Sequence, residues 1–153
     1  MEENKREQVE AKQYIVVKLG NEQYGIDIQY VDNIVRMQRI TRVPKAQSYF
    51  NGVINIRGEI IPVMSLRMKF GLEPDEFKNA TRILIIKIEP QAAIGMIVDE
   101  VKEVITLGDE SIDRIIDTND EKNAYLMGVG KLTDSLVSLL NVPAVVVEKE
   151  SAV

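Results

Sequence analysis

The sequence predicts an all-β protein of the barrel or sandwich class with a few short helices, on three observations. Short segments rich in Val and Ile recur along the chain, and residues typical of turns separate them. One segment, residues 52–66 (GVINIRGEIIPVMSL), is apolar at nearly every position, which is typical of strands buried on both faces. The 153 residues are enough for one domain that buries about two thirds of its unfolded surface.

The chain begins with a charged stretch that leads into two predicted strands. Residues 1–12 (MEENKREQVEAK) carry seven charges and are predicted to be a flexible lead-in to a single domain over residues 13–150. Residues 13–19 (QYIVVKL) and 23–28 (QYGIDI) are predicted strands, and the second alternates apolar and other residues as a half-buried strand does. Gly20-Asn21 is a plausible turn between them.

A short helix and an arginine-rich segment are predicted next. Four apolar residues at helical spacing predict a helix that ends before Arg36; they are Tyr30, Val31, Ile34 and Val35. The arginine-rich segment after them is predicted to be a strand or loop that ends in a turn at Pro44.

Residues 52–66 are predicted to form two antiparallel strands joined by a tight turn at Arg57-Gly58. Gly58 tolerates the positive φ that such a turn requires. Pro62 cannot donate a ladder hydrogen bond, so the second strand is expected to run along a sheet edge or to carry a bulge. Arg57 is either a solvated turn residue or a functional one, and both interpretations stay open at this point.

The C-terminal part is predicted to contain four more strands, separated by turns and polar loops. These strands cover residues 82–88, 93–98, 126–132 and 136–140. Residues 99–107 (DEVKEVITL) fit a helix and a strand equally well, and residues 117–123 (DTNDEKN) are a predicted polar loop. Asn141 and Pro143 favour the start of a helix, although the valines that follow are weak helix formers.

The reactive side chains available in this sequence argue against catalysis. The chain has no His and no Cys, which excludes a Ser-His-Asp triad, a cysteine nucleophile and imidazole or thiolate metal ligands. Residues 117–128 fail as a calcium loop because Lys122 and Gly128 stand where glycine and glutamate are needed. The glycines of residues 52–58 are not followed by the Lys-Ser/Thr pair of a phosphate loop. We therefore expect no enzymatic activity, no cofactor and no metal.

Charge and hydropathy favour a protein partner. Residues 30–69 carry seven basic and two acidic side chains, a net charge of +5, so the rest of the chain carries −10 within the total of −5. A basic island on an acidic molecule suits a polar protein surface better than a nucleic acid, and few aromatic residues are available for base stacking. The absence of cysteine, of a signal peptide and of an apolar run long enough for a membrane span predicts a cytoplasmic protein.

The segment GVINIRGEIIPVMSLR resembles the signature of the CheW family, the coupling proteins of bacterial chemotaxis. The positions that carry the resemblance are Gly52, Val53, Asn55, Ile56, Arg57, Gly58, Pro62, Val63 and Leu66. The resemblance extends over about residues 13–148. It implies two small SH3-like five-stranded β-barrels packed around a shared hydrophobic core, a β-strand at residues 99–107 and a C-terminal helix.

The same resemblance implies a non-enzymatic adaptor and two partners. CheW-like proteins link the cytoplasmic tips of methyl-accepting chemoreceptors to the regulatory domain of the histidine kinase CheA, in clusters at the inner face of the membrane. The receptor groove would comprise Ile28, Val31, Asn33, Ile34, Val35, Arg57, Val98 and Val101. The kinase surface would lie on the second barrel and comprise Ile115, Ile116, Asp117 and Thr118.

One position departs from the family, and other functions compete. Relatives often carry Glu where Asn33 stands, so Arg57 must find another acid, a carbonyl group or solvent. A CheW-like adaptor of a different receptor–kinase pathway is the nearest alternative. A small-barrel protein that binds single-stranded nucleic acid and an enzyme that uses carboxylates are alternatives of other classes.

Overall fold

The computed structural model of the protein describes residues 11–89, 92–115 and 124–146. Its strands are β1 (Lys12–Leu19), β2 (Glu22–Asp27), β3 (Val31–Arg36), β4 (Phe50–Ile56), β5 (Glu59–Ser65), β6 (Arg82–Glu89), β7 (Ala92–Val98), β8 (Glu100–Leu107), β9 (Ile112–Arg114), β10 (Leu126–Lys131) and β11 (Leu136–Leu140). Two short helices, α1 (Leu66–Lys69) and α2 (Val142–Val146), and 3-10 turns at Ile28–Tyr30 and Asp109–Ser111 complete the described elements.

The strands form two sheets, and each sheet is the centre of one lobe. The first lobe has the strand order β8-β1-β2-β11-β10-β9, and the second lobe has the order β3-β6-β7-β5-β4. Most neighbours are antiparallel, but β2 pairs with β11 and β5 with β7 in parallel. This mainly-β, two-lobed arrangement confirms the predicted fold class, although the first lobe pairs six strands instead of five.

Three clusters of buried side chains form the core of the protein. The shared core lies between the lobes and takes residues from β1, β2, β5, α1, β6, β7, β11 and α2. A second-lobe core contains Ile54, Ile61, Ile83 and their neighbours, and a first-lobe core contains Tyr14, Val16 and theirs. The predicted shared hydrophobic core is thus present, and each lobe adds a smaller core of its own.

Residues 31–36 form a strand, so the predicted short helix is wrong. A β-bulge between Val31 and Asn33 inserts Asp32 as an extra residue opposite β6. The bulge shifts the alternation of side chains, so Val31 and Ile34 face the same side although they are three residues apart. An apolar spacing of three is also the spacing of a helix face, so the sequence pattern alone favours the wrong element.

The predicted alternative that β5 runs along a sheet edge is wrong, because β5 lies between β7 and β4. The other predicted alternative, a bulge, occurs in the pairing of β4 with β5, where Asn51 of β4 is the extra residue. Thr41 and Val53 exchange two backbone hydrogen bonds of 2.8 Å, so the polar backbone atoms of Val53 point away from β5. Pro62 stands opposite Val53, in a pair that does not need its missing N–H. The parallel ladder to β7 begins only at Val63, one residue later.

The ambiguous C-terminal elements are resolved where the chain is described. Residues 100–107 form β8, as the family resemblance implied. The end of the chain enters α2, and the side chain of Asn141 accepts a hydrogen bond of 3.2 Å from the backbone N–H of Ala144, as a helix cap does. The predicted loop at 117–123 and nearly all of the charged lead-in lie outside the described residues.

An ion pair between Arg67 and Asp99 ties the two lobes together. The Arg67 guanidinium donates two hydrogen bonds to the carboxylate, of 2.9 Å from Nε and 2.6 Å from Nη2. The backbone N–H of Gly20, in the β1–β2 turn of the first lobe, donates to the same carboxylate at 2.7 Å. Hydrogen bonds from Arg67 lower the pKa of Asp99 below its usual value, against the opposing effect of burial.

We expect Asp99→Asn to lower the free energy of unfolding by about 2–3 kcal/mol near neutral pH. The substitution leaves the charge of Arg67, whose side chain is only 18% exposed, without its counter-ion. Because the folded-state pKa of Asp99 lies below the unfolded value of 3.8, this stability is present above that value and is lost as the pH falls through the folded-state pKa. Urea unfolding near pH 7 and at pH values below about 3 measures both effects.

The matched control is Asp113→Asn, which breaks the exposed pair of Asp113 with Lys131 at 3.5 Å. We expect it to change stability by less than about 0.5 kcal/mol, because exposed pairs contribute little. Equal stability of Asp99→Asn and the wild type near neutral pH would show that the ion pair does not join the lobes.

Candidate functional site

The edge strand β3 carries two different surfaces. Val31 and Ile34 lie on the face of the shared core, opposite residues of β6 that belong to that core. Asn33 and Val35 lie on the other face, opposite residues of the second-lobe core. Ile34 remains 38% exposed, because no strand covers β3 on its outer side within the described sheet. Residues that the sequence placed in one groove therefore divide between two faces.

The edge strand β8 of the first lobe repeats this arrangement. A register shift in its pairing with β1 places both Val101 and Val104 on the face of the shared core. Val101 is partly buried, and Val104 is 51% exposed. Sequence reasoning missed Val104 because a bulge, and not regular alternation, brings it to this face.

The 3-10 turn at Ile28–Tyr30 lies between the two edge strands. It contacts β1 of the first lobe and β6 of the second, which are the strands that pair with β8 and β3. Ile28 is 39% exposed at this place. We use the name inter-lobe surface for these half-buried and exposed aliphatic residues that flank the shared core: Ile28, Val31, Ile34, Val101 and Val104.

Val98 does not belong to this surface, contrary to the prediction. It ends the central strand β7 and is fully buried in the shared core, with 0% of its surface exposed. Its role is to pack the two lobes together beneath the inter-lobe surface. A residue at this depth cannot touch a partner.

Arg57 and Asn33 line one pocket on the other face of β3. The pocket has a volume of about 140 Å³ and opens beside the second-lobe core. Its lining residues are Asp32, Asn33, Ile56, Arg57, Glu59, Ile61, Ile85 and Lys87. We call it the Arg57 pocket. The predicted proximity of Arg57 and Asn33 is present, but their pocket faces away from the inter-lobe surface.

The turn of the central hairpin holds Arg57 in a strained conformation. Arg57 has φ of 54° and Gly58 has φ of 86°, the two positive angles of a type I′ hairpin turn. The side chain of Asn55 supports the turn by accepting a hydrogen bond of 2.9 Å from the backbone N–H of Gly58. A left-handed arginine costs about 1–2 kcal/mol relative to glycine, so packing alone does not account for arginine at this position.

The Arg57 guanidinium is exposed, and within the described residues it forms no hydrogen bond or ion pair. Asp32 and Glu59 line the same pocket without pairing with it, and the side chain of Asn33 accepts from the backbone N–H of Ile34 at 2.8 Å. The planar fork of five N–H donors is therefore free to meet carboxylate or carbonyl oxygens of another molecule.

The predicted kinase surface is described at one residue, Ile115, which lies beside the first-lobe sheet and not on the second barrel where it was expected. Ile115 is partly buried, and its backbone N–H donates to the carbonyl of Met127 at 3.2 Å, next to the pairing of β9 with β10. Ile116, Asp117 and Thr118 lie outside the described residues.

The described part of the chain contains neither a metal-binding group of acidic residues nor a helix that could span a membrane. No group of three or more acidic side chains is arranged to hold a metal ion in residues 11–89, 92–115 and 124–146. Over the same residues, no helix has the length and hydropathy needed to cross a membrane.

Comparisons with known proteins agree on one family. The model of the CheW-like domain matches residues 13–150. The chain is 37% identical over 133 residues to the chemotaxis protein CheW of Helicobacter pylori, covering 87% of this chain and 80% of that protein. It is 32% identical over 139 residues to the chemotaxis protein CheW of Bacillus subtilis, covering 90% and 88%. The crystal structure of the scaffolding protein TtCheW from Thermoanaerobacter tengcongensis superposes with a TM-score of 0.76 at 35% identity, covering 85% of this chain and 88% of that one.

Proposed function

The chain belongs to the CheW-like domain family, and from this premise we propose that it is a non-enzymatic adaptor that couples methyl-accepting chemoreceptors to the histidine kinase CheA. The observation that carries the proposal is the family match over residues 13–150, which includes both lobes and the hairpin with Arg57. We take these residues to act as one domain, working in the cytoplasm at receptor clusters on the inner face of the membrane.

The inter-lobe surface is the proposed seat of the receptor tip. Val104 and Ile34 are 51% and 38% exposed on the two edge strands, with Ile28 at 39% between them. Exposed aliphatic side chains at the boundary between two lobes suit the apolar face of a helix, which is how a helical hairpin would dock. Val31 and Val101, packed against the shared core, would support the exposed residues from beneath.

The Arg57 pocket is the proposed polar part of the receptor contact. It lies on the opposite face of the same edge strand, so a helix that crosses β3 could contact both surfaces. The guanidinium would donate to a carboxylate or to the free carbonyl groups at the end of a receptor helix. Asn33 would lie beside this contact in the pocket.

The proposed kinase contact is centred on Ile115, beside β9 and β10 of the first lobe, and would include the three residues that follow it in the chain. It would then be separate from the receptor contact, and a bridging adaptor needs two sites that can be filled at once. The nearest competing function is that of a CheW-like adaptor in a different receptor–kinase pathway, which would use the same two surfaces.

We expect the purified protein to bind a receptor cytoplasmic tip and the CheA regulatory domain simultaneously. Saturation with one partner should change the affinity for the other by less than about threefold, because the two contacts are on different surfaces. Calorimetric titration of each partner, with and without the other, measures this. Mutually exclusive binding would contradict the bridging function, and binding of neither would contradict the choice of pathway.

Single substitutions distinguish the proposed receptor contact from the proposed kinase contact in the same titrations. Val104→Asp places a charge on the inter-lobe surface and should weaken the receptor contact but not the kinase contact. The matched control is Leu136→Asp, which charges a similarly exposed leucine of the first lobe (62%) and should leave receptor binding unchanged. Equal effects of both variants would exclude the inter-lobe surface as the receptor contact.

A further inference from the structure

Residues 37–49 connect the two edges of the second-lobe sheet. They leave edge strand β3 and enter β4, which lies at the opposite edge. Met37 and Ile40 pack against the second-lobe core, and Thr41 pairs with Val53 of β4 through two backbone hydrogen bonds of 2.8 Å. The segment is thus fixed at two apolar positions and at one backbone bridge.

Gly52 makes this close approach possible. Its φ is 142°, in the region that favours glycine, and a Cβ atom at this position would lie 2.1 Å from the carbonyl oxygen of Thr41. The same Cβ would lie 2.9 Å from a side-chain atom of Ile40. The first glycine of the family signature therefore holds the connecting segment against β4.

Basic residues recur at every third position from residue 36 to residue 45. Arg36, Arg39, Arg42 and Lys45 are all exposed, and we call them the basic ridge. Met37 and Ile40 are partly buried, lie three positions apart and each directly follow an arginine. Because these two apolar side chains pack inward, the neighbouring arginine side chains face outward.

No acidic residue close in sequence neutralises the charge of the basic ridge. Residues 33–58 contain five basic side chains and no acidic one. In the described part of the chain, none of the four ridge residues forms an ion pair. The exposed charges stand on a backbone that Met37, Ile40 and Thr41 anchor, so little backbone freedom is lost when an anion binds.

We propose that the basic ridge, which continues from the end of β3, is a docking surface for an acidic stripe on a helix of a protein partner, in addition to the proposed receptor and kinase contacts. Arg36 ends β3 and Thr41 bridges β4, and on an extended path between these two points arginines three positions apart lie about 10 Å apart. Acidic residues seven positions apart on an α-helix lie on one face at about 10.5 Å. The two repeats match at Arg36, Arg39 and Arg42, and arginine pairs with carboxylates through two parallel hydrogen bonds. Lys45 follows in a turn with φ of 66° and adds a fourth positive charge outside this spacing.

The charge of the whole molecule favours a helix over a membrane or a nucleic acid. Outside residues 30–69 the chain carries a net charge of −10. An extended polyanion would face much of that charge and be repelled. A single helix would contact the ridge alone, because charges more than about one Debye length away, roughly 8–10 Å, are screened.

The probe for this proposal is a labelled 22-residue helical peptide of Ala and Gln with Glu at positions 1, 8, 15 and 22. Fluorescence anisotropy at low salt should show binding to the wild-type protein. Arg39→Gln/Arg42→Gln should weaken it by about fivefold or more, since two charged contacts are lost. The control Arg114→Gln/Lys131→Gln removes two cations whose side chains are 60% and 49% exposed in the first lobe, and should change affinity less than about twofold.

Two further arms test the geometry. A peptide of the same composition with its four Glu residues adjacent should bind at least about threefold more weakly, because it cannot reach successive arginines. Gly52→Ala keeps every charge but displaces Thr41, and it should weaken binding while circular dichroism shows a folded protein; if it does not fold, the double arginine variant decides alone. No binding by the wild type, equal loss in both double variants, or equal binding of the two peptides would overturn the proposal. So would equally tight, ridge-dependent binding of phosphatidylserine vesicles or a 20-nucleotide single-stranded DNA.

Discussion

Replacing Ile54 or Ile61 with alanine is expected to lower the free energy of unfolding by about 2–5 kcal/mol. The two residues stand opposite each other in the pairing of β4 with β5, and each is only 2% exposed. Both belong to the second-lobe core, so each truncation removes buried apolar surface and leaves a cavity that the paired strands cannot close. Urea unfolding followed by circular dichroism measures the loss.

Ile60→Ala is the matched control, because Ile60 is the adjacent residue of the same strand and is 58% exposed. It should change stability by less than about 0.5 kcal/mol. The double variant Ile54→Ala/Ile61→Ala should deviate from the sum of the single effects by more than about 0.5 kcal/mol, since cross-strand neighbours share one cavity. Wild-type stability in both single variants would mean that the hairpin is not part of a core.

Runs of β-branched residues are enough to predict where most strands lie, but not how they pair. β1, β6 and β11 follow from local composition, because each is a short apolar segment between turn residues. The strand at residues 31–36 cannot be predicted in this way. Its apolar spacing reflects a bulge opposite β6, and only the pairing with that distant strand determines the bulge.

The position of β5 inside its sheet escapes prediction for a similar reason. The rule that proline avoids interior strands assumes that every interior residue must donate in a ladder. Thr41 takes over the backbone groups of Val53, so the opposing position of Pro62 does not need an N–H. The hydrogen bonds between Thr41 and Val53 join segments that are distant in sequence. The strand propensities of single residues carry no information about such a contact.

The site is predictable at the hairpin and less so around it. The signature locates Arg57, the family resemblance separately points to Asn33, and the structure brings both residues to one pocket. Burial depth separates Val98 from Val104: both are valines near one lobe boundary, but one is fully enclosed and the other is 51% exposed. A sequence pattern does not distinguish a core residue from a surface residue when the strand carries a bulge.

Arg57 is exposed and has a left-handed backbone, so substitutions at this position can separate its contribution to receptor binding from its contribution to stability. Arg57→Ala is expected to weaken receptor-tip binding by about 2–5 kcal/mol, because a charged hydrogen bond to the partner is lost. The free energy of unfolding of the Arg57→Ala variant should differ from that of the wild type by less than about 1 kcal/mol. The exposed guanidinium has no partner within the described residues, and alanine keeps the same backbone strain. Calorimetry with the receptor tip and thermal melting measure the two quantities, and binding to the CheA regulatory domain should be less affected.

Arg57→Gly sharpens this comparison, because it removes the same side chain and relieves the strain at φ of 54°. It should raise the free energy of unfolding by up to about 1 kcal/mol and still weaken receptor binding as much as Arg57→Ala does. Asn33→Glu adds the acid that the family resemblance implies at this position, in the pocket that Arg57 also lines, where it can pair with Arg57 and fix the direction of the guanidinium. Arg114→Ala controls for loss of one exposed cation, since its side chain is 60% exposed in the first lobe. If Arg57→Ala and Arg57→Gly both activate the kinase through receptors as well as the wild type does, Arg57 is only a solvated turn residue, and the strained arginine needs another explanation.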